Sequence, residues 1–209
     1  MERILLIVLR FAPWIFITVL AFVILVLPNL VNAQEIPAAA KQYRHELVRE
    51  AQFVFGLRAP IPMFAAQIEQ ESSWRAGVTA WDNGRGLAQF MDPTAKFISE
   101  TYPELGQPDP YNPRWAIRAM VRLNHYNYQR VQGLNPCHQW AAALKAYNAG
   151  LGWVMRAQQK SPEPKKWWDV TEHINTGQSQ TNFEYSRLYP HKILYNRQPK
   201  YAQWGALVC

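Results

Sequence analysis

The sequence predicts a mainly α-helical fold with a small β-hairpin element, and three observations support this prediction. Apolar residues recur at helical spacing in several segments. Proline follows an aspartate or asparagine at Asp92-Pro93, Asn112-Pro113 and Asn135-Pro136, a pair typical of helix starts. Segments with strand character do not alternate with these helices, so we expect no doubly wound sheet.

The predicted elements follow in order along the chain. An apolar stripe with charge on the opposite face indicates the first helix, and prolines break this pattern before the second. The later helices begin at the three proline pairs, where the Asp or Asn side chain is expected at the N-cap. The predicted helices cover residues 38–55, 62–73, a segment opening at 92, 113–131 and 136–147. The hairpin is expected between Ala76 and Gly86, around an Asp82-Asn83-Gly84 turn.

Residues 1–33 differ in composition from the domain predicted over residues 34–209. Two arginines precede Phe11 to Leu27, a run of seventeen residues without a formal charge. This run is long for the core of a signal peptide and just sufficient for a short membrane span. The segment is therefore either a signal peptide cleaved after Ala33 or a retained membrane anchor. Both alternatives predict export, with the domain in the periplasm or facing it from the inner membrane.

The net charge of +7 suits an anionic partner. The basic residues are scattered and include no arginine-rich arm or zinc finger, so nucleic acid is not expected as a partner. An anionic polymer of the cell envelope and an ordinary solvated surface both stay open as explanations. The five histidines share no common spacing, so we expect no metal site. We also expect a monomer that uses no cofactor.

The two cysteines lie far apart, with Cys137 inside the domain and Cys209 at the last position. In an oxidising compartment, a Cys137–Cys209 disulfide would tie the C-terminus to the domain. The alternative is a pair of free thiols. No feature of the sequence marks either cysteine as an activated nucleophile.

Glu71 is the first candidate for chemistry among the acidic residues. It lies near the end of the second predicted helix, in a segment that includes Ile68 and Trp74. Burial of a carboxylic acid disfavours its ionised form, so we expect its pKa to rise and the group to donate a proton near neutral pH. Glu69 falls on a different face of the same helix and is expected to be solvated.

Three short blocks follow one another at 71–72, 86–91 and 146–150, with the sequences Glu-Ser, Gly-Leu-Ala-Gln-Phe-Met and Ala-Tyr-Asn-Ala-Gly. Together they resemble the motifs of the soluble lytic transglycosylase (SLT) family, over about residues 60–195. This resemblance implies a lysozyme-like fold and cleavage of the β-1,4 bond between N-acetylmuramic acid and N-acetylglucosamine in peptidoglycan. It also implies a 1,6-anhydro end, because the muramoyl 6-hydroxyl attacks its own anomeric carbon.

The resemblance implies roles for individual residues. Glu71 matches the family's single catalytic acid and base. Substrate-binding roles are implied for Ser72, Gln89, Met91, Tyr147, Asn148 and Tyr189. Ala88 stands where the family often has methionine. Tyr189 matches the family's Glu-Thr-x-x-Tyr block with its spacing shifted by one residue.

Two other functions stay open at this point. If Asp82 faces Glu71, it could act as a base on water, and the protein would be a lysozyme-type hydrolase. The simpler role of Asp82 is in its Asp-Asn-Gly turn. A non-catalytic component that binds peptidoglycan would keep the fold without needing a proton donor. The biological setting could be phage lysis, conjugation or secretion, or remodelling of the wall.

The nine tryptophans offer flat surfaces for stacking on sugar rings. Trp74, Trp81 and Trp153 are candidates for such contacts. Trp115 and Trp140 fall on predicted helices and are expected in the core.

Overall fold

The computed structural model describes residues 35–209, and helices dominate this part of the chain. The mainly α-helical fold predicted from the sequence is confirmed for these residues. The α-helices are α1 Ala38–Phe55, α2 Ile61–Ser72, α3 Asp92–Thr101, α4 Pro113–Tyr128, α5 Pro136–Ala149, α6 Leu151–Lys160 and α7 Gln180–His191. Short 3-10 helices cover Pro103–Leu105, Thr171–His173 and Gln198–Trp204, and a π-helix covers Lys192–Arg197.

Side-chain caps account for two of the three predicted helix starts. Asn112 Oδ1 accepts the backbone N–H of the second residue of α4 at 3.0 Å, and Asn135 Oδ1 accepts that of the third residue of α5 at 3.2 Å. The expectation for Asp92 is wrong, because Met91 occupies the N-cap of α3 and Asp92 is its first helical residue. The Asp92 carboxylate instead pairs with Arg85, in the first turn where the helix dipole favours a negative charge.

Two helices end two or three residues away from their predicted positions. α4 ends at Tyr128, because the chain turns there and Gln139 Nε2 donates to the carbonyl oxygens of Tyr128 at 3.0 Å and Val131 at 3.3 Å. A side chain thus satisfies the Tyr128 carbonyl, which the end of the helix leaves unpaired, together with a carbonyl of the turn that follows. α5 continues to Ala149 and ends at Gly150, whose φ of 98° is readily adopted only by glycine.

Residues 76–91, between α2 and α3, form a loop that we call the bridged loop. Isolated antiparallel bridges join Thr79 to Arg85 and Arg85 to Phe90, and no regular strand forms within residues 35–209. In the turn, Asp82 Oδ1 accepts the backbone N–H of Gly84 at 3.2 Å. The predicted hairpin is therefore present only as this turn and its two bridges.

Gly86 allows the bridged loop to approach its neighbours closely. Its φ is 72°, and an added Cβ would lie 1.8 Å from the carbonyl oxygen of Pro110. Its backbone N–H donates to the carbonyl of Val78 at 2.9 Å. A residue with a side chain would be strained here and would push the loop away from Pro110.

α2 lies at the centre of the packing, and all residues from Ile61 to Ile68 are buried. It contacts α1 and also residues 192–209, which we call the C-terminal segment. α4 packs against α1 and α5, and α5 packs against α6 and α7. Phe64 of α2 meets Trp140 of α5 edge to face, with 5.7 Å between ring centroids. Trp140 and Trp115 are both buried, as predicted.

The C-terminal segment holds α2 through polar contacts. Lys200 and Tyr201 both bind the carboxylate of Glu69, with 2.6 Å between Tyr201 Oη and Glu69 Oε2. The expectation of a solvated Glu69 is therefore wrong, because the side chain is largely covered and ion-paired. Cys137 and Cys209 form a disulfide with 5.0 Å between their Cα atoms, which ties the end of the segment to α5.

The predicted signal peptide or membrane anchor, residues 1–33, lies outside the described residues. Within residues 35–209, no helix combines the length and the apolar character needed to cross a membrane. Cleavage and retention of the first segment both stay predictions.

Candidate active site

A cleft of about 580 Å³ brings the three sequence blocks together. α2 contributes Glu71, the bridged loop contributes Gln89 and Met91, and the end of α5 contributes Tyr147 and Asn148. Most of the site residues predicted from the sequence therefore line one cavity. Its volume lies within the range of cavities that bind small ligands.

Glu71 occupies the last turn of α2, which the chain leaves through Ser73 in a left-handed conformation. Burial raises the pKa of the Glu71 carboxyl from 4.5 to about 7. A hydrogen bond from Tyr189 acts in the opposite direction, and the negative charge of Asp82 raises the pKa further. A carboxyl group with a pKa near 7 is present in both protonation states at neutral pH, so it can both give and take a proton.

Tyr189 lies behind Glu71 rather than in the wall of the cleft. Its hydroxyl donates to Glu71 Oε1 and accepts a hydrogen bond from Gln67 Nε2 at 3.3 Å. The side chain is buried, and this burial keeps the pKa of the phenol well above its usual value. Tyr189 is thus a neutral hydrogen-bond donor to the candidate acid, and it reaches Glu71 despite the shifted spacing of its motif.

Ser72 also lies beneath the cleft. It is 2% exposed, and its hydroxyl donates to the carbonyl of Leu87 at 2.9 Å. This bond fixes the bridged loop to the end of α2, directly beside Glu71. The geometry gives Ser72 a positioning role in place of the substrate contact expected from the sequence.

Tyr147 connects the third sequence block to the second. Its hydroxyl donates to the carbonyl of Ala88 at 2.7 Å, and its ring packs against Phe90 with 6.2 Å between centroids. Burial and the charge of Glu71 raise the pKa of the Tyr147 phenol well above its usual value, so the side chain stays neutral. Asn148, the next residue, lines the cleft at the end of α5.

Gln89 is held in a constrained conformation at the cleft. Its φ of 51° is uncommon for a residue with a side chain, and its Nε2 donates to the carbonyl of Gly86 at 2.8 Å. The side chain is therefore ordered before a ligand arrives, which lowers the entropy cost of a contact. Met91 lies at the edge of the cleft and is 40% exposed.

The cleft contains aromatic residues that the sequence analysis does not identify. Phe97, Tyr126 and Tyr185 line it, and the rings of Phe97 and Tyr126 meet edge to face at 5.2 Å. They come from α3, α4 and α7, so no local pattern joins them. Their residue type is the available signal, because aromatic rings offer apolar faces on which a sugar ring can pack.

The tryptophans predicted to contact sugar differ in position. Trp81 is 96% exposed at the cleft, where a glycan could reach it. Trp74 is buried, and its indole N–H donates to Tyr201 Oη at 2.8 Å, so the expectation of a sugar contact is wrong for this residue. Trp153 instead packs against Arg156, at 4.3 Å from the guanidinium carbon to the ring centroid.

The described part of the chain, residues 35–209, contains no group of three or more His, Cys, Asp or Glu side chains that could hold a metal ion. His138 has a structural contact instead, because its Nδ1 accepts the backbone N–H of Trp167 at 2.9 Å. The cleft offers proton transfer by Glu71 and hydrogen bonding by the side chains around it.

A helical domain whose cleft contains a glutamic acid at the end of a central helix is the arrangement of the lysozyme-like superfamily. The model of the family described as Transglycosylase SLT domain matches residues 57–170, and the chain belongs to this family. The chain is also 30% identical, over 116 residues, to the membrane-bound lytic murein transglycosylase F of Aeromonas salmonicida (strain A449). That alignment covers 53% of this chain and 22% of the relative, so the chain spans only part of that protein.

Proposed function

We propose that this protein cleaves the glycan strands of peptidoglycan as a lytic transglycosylase, with Glu71 as its single general acid and base. One observation carries the proposal: the Glu71 carboxyl has a pKa of about 7 and lies in a cleft that residues of all three family motifs line. Membership of the SLT family supports the same activity, as does the name of the Aeromonas relative.

In the proposed reaction, Glu71 acts twice. The protonated carboxyl first gives its proton to the glycosidic oxygen, while the bond from that oxygen to C1 of N-acetylmuramic acid breaks. The carboxylate then takes the proton of the 6-hydroxyl of the same sugar, while that oxygen bonds to C1. The products are a 1,6-anhydromuramoyl end and a free 4-hydroxyl on N-acetylglucosamine. No water is consumed, and Glu71 returns to its protonated form.

A single carboxyl group is sufficient in this scheme because the nucleophile belongs to the substrate. Most hydrolytic glycosidases use two carboxyl groups, whereas an intramolecular hydroxyl gains its rate from proximity. We assign the sugar contacts to Gln89, Met91, Tyr147 and Asn148, which line the cleft around Glu71.

A lysozyme-type hydrolase is the second candidate function, and one observation favours it. Asp82 lines the same cleft as Glu71, and its charge is one of the influences that raise the pKa of Glu71. As a carboxylate it could activate water on the far side of the scissile bond. Its bond to the backbone N–H of Gly84 already accounts for an aspartate at this place in the turn.

Digestion of purified peptidoglycan sacculi, followed by borohydride reduction and mass spectrometry, tests the proposal. We expect muropeptides with anhydro ends that resist reduction, and we expect them to be absent with Glu71→Gln. Glu100→Gln is the matched control, because Glu100 lies on the exposed side of α3. Reducible ends would support the hydrolase and Asp82 as its base. A folded protein that binds sacculi without any cleavage would support the non-catalytic alternative.

The proposed location is the periplasm or the periplasmic face of the inner membrane. The substrate lies outside the cytoplasm, and the relative from Aeromonas is named membrane-bound. The predicted signal peptide or anchor supplies the route of export. Fractionation of cells that express the full chain, with an N-terminal and a C-terminal tag compared, would distinguish cleavage from anchoring.

A further inference from the structure

A chain of buried hydrogen bonds runs from the interior to Glu71. Asn124 Nδ2 donates to Gln67 Oε1 at 2.8 Å, Gln67 Nε2 donates to Tyr189 Oη at 3.3 Å, and the Tyr189 hydroxyl donates to Glu71 Oε1. Gln67 and Asn124 have no measurable exposure to solvent, so they cannot touch a glycan. None of the sequence motifs includes either residue.

The direction of this chain is fixed at its far end by a group that can only accept. Asn124 Nδ2 also donates to the backbone carbonyl of Met120 at 2.9 Å. With that carbonyl as an anchor, the amide nitrogen of Asn124 faces Met120 and Gln67, and the Gln67 oxygen must accept. The Gln67 nitrogen then points at Tyr189 and donates to a lone pair of the Tyr189 hydroxyl oxygen. The hydrogen of this hydroxyl is therefore directed at Glu71.

We propose that Gln67 and Asn124 are positioning residues that hold the Tyr189 hydroxyl hydrogen on Glu71 Oε1 and so leave the acid proton on Oε2. This inference rests on the proposed function, in which Glu71 must give its proton to a bound glycan. An acid proton on Oε1 would compete with the hydrogen of Tyr189 for the same place. The chain of donors removes this competition and presents one protonated oxygen to the substrate.

The burial of these two amides supports a role beyond packing. Within residues 35–209, Asn124 Oδ1 is buried without a hydrogen-bond partner, which costs stability that an apolar residue of the same size would not lose. Gln67 lies between buried apolar residues of α2, Phe64 and Ile68, four residues before Glu71 and therefore one turn away. An unpaired oxygen and a buried amide in the core are expected where directed hydrogen bonding is needed.

The titratable groups around Glu71 come from three elements. Tyr189 of α7 and Tyr147 of α5 are neutral phenols, and Asp82 of the bridged loop is the neighbouring charge. Of these, the Tyr189 hydroxyl donates directly to Glu71 and is in turn held by Gln67. Loss of Gln67 should therefore act on Glu71 through Tyr189.

The test substitutes each amide by an apolar side chain of similar size. In Gln67→Met we expect kcat to fall about tenfold with KM within about twofold, since the substrate contacts are intact. The alkaline limb of the kcat–pH profile should move to higher pH, because a weakened hydrogen bond from Tyr189 lowers the pKa of Glu71 less than in the wild type. Asn124→Leu should also lower kcat and move the alkaline limb to higher pH, in both cases by less than Gln67→Met.

The control is Gln158→Met. Gln158 is also a buried glutamine, and its amide bonds to the backbone of Gln132 and Pro164, away from the cleft. Gln158→Met also removes a polar side chain from the core. It should therefore lower the free energy of unfolding without moving the kcat–pH profile. The double variant Gln67→Met/Asn124→Leu should be no slower than Gln67→Met alone, because both residues act through one chain.

A second readout separates this inference from the proposed function. The carboxyl carbon of Glu71 can be titrated by ¹³C NMR in folded protein without substrate, with Glu71→Gln to assign the signal. A higher pKa in Gln67→Met supports the chain of donors even if the wild-type protein cleaves no glycan, in which case the proposed function fails alone. An unchanged pKa and pH profile in folded Gln67→Met, or in folded Asn124→Leu if Gln67→Met does not fold, would overturn the inference.

Discussion

At the scale of single residues, the raised pKa of Glu71 suits proton transfer but lowers the stability of the folded state at neutral pH. Its folded-state pKa of about 7 lies above the 4.5 of an exposed glutamic acid. Between these values the folded state binds more protons than the unfolded state, so stability falls as the pH rises. The contribution is fully present below a pH of about 4.5 and is lost as the pH rises through 7.

Substitution of Glu71 by glutamine removes the titrating group and nearly preserves its size. We expect Glu71→Gln to raise the free energy of unfolding at pH 8 by on the order of 1–3 kcal/mol relative to its effect at pH 4. Thermal and urea denaturation followed by circular dichroism at both pH values measures this difference. Glu100→Gln should show no such pH dependence. Equal effects of Glu71→Gln at the two pH values would contradict a raised pKa of this partly buried carboxyl.

The same substitution should remove activity. General acid and base catalysis typically contributes about 100- to 10,000-fold, so we expect Glu71→Gln to lower the rate of sacculus solubilisation by at least about 100-fold. Release of muropeptides, measured by chromatography, gives this rate. Retention of more than a tenth of the wild-type rate by a protein of normal stability would exclude Glu71 as the acid.

Tyr189 offers a test of the hydrogen bond that opposes burial. Tyr189→Phe removes the donor to Glu71, so the pKa of Glu71 should rise and the alkaline limb of the pH profile should move to higher pH. We expect kcat at the optimum to fall by about tenfold or more. Tyr102→Phe, which changes a half-buried tyrosine outside the cleft, serves as the control. A limb that moves to lower pH would show that the donation has the opposite effect.

At the scale of elements, the sequence predicts what local chemistry determines. The caps at Asn112 and Asn135 involve a side chain and a backbone group a few residues away, so the pattern is sufficient. The predicted cap at Asp92 does not form, because the Asp92 carboxylate pairs with Arg85 of the bridged loop instead. The expectation of a solvated Glu69 is wrong for the same reason. Lys200 and Tyr201, which cover its carboxylate, lie far along the chain and leave no signal in the sequence of the helix itself.

The bridged loop depends on the close approach at Gly86. We expect Gly86→Ala to lower the free energy of unfolding by more than about 2 kcal/mol, because the new Cβ would meet the Pro110 carbonyl at 1.8 Å in a backbone conformation with φ of 72°. Activity should fall as well, since the loop carries Gln89 and Met91. Gly77→Ala is the matched control, because an added Cβ there meets no atom of the described part of the chain within 4 Å. Equal urea midpoints for the two variants would contradict this packing.

At the scale of the whole molecule, contacts distant in sequence complete the candidate site. The family match ends at residue 170, yet Tyr189 binds Glu71 across 118 residues and Lys200 binds Glu69 across 131. The sequence blocks predict which side chains gather around Glu71. They cannot predict the aromatic wall of Phe97, Tyr126 and Tyr185, because three separate helices contribute to it.

The Cys137–Cys209 disulfide is expected to hold the C-terminal segment against α2. It spans a sequence separation of 72 residues. A disulfide typically stabilises a protein by about 2–4 kcal/mol, mainly by restricting the unfolded chain. Reduction should therefore lower the melting temperature and, through the contacts of Lys200 and Tyr201 with α2, lower activity near that temperature.

The control for reduction is the double variant Cys137→Ala/Cys209→Ala, whose melting temperature should be low and insensitive to reductant. Intact mass after alkylation under non-reducing conditions reports whether the disulfide forms in the native protein. Two alkylated cysteines in native protein from the periplasm would contradict the bridge.

In the proposed reaction, the 6-hydroxyl of the substrate, not water, attacks the anomeric carbon after Glu71 gives its proton. Digestion of sacculi in H₂¹⁸O, with mass spectrometry of the released muropeptides, distinguishes these two nucleophiles. We expect products that carry no ¹⁸O and lack one water relative to hydrolysed fragments. Incorporation of one ¹⁸O at each new end would contradict the proposed reaction and would make the protein a hydrolase that uses Asp82 with Glu71.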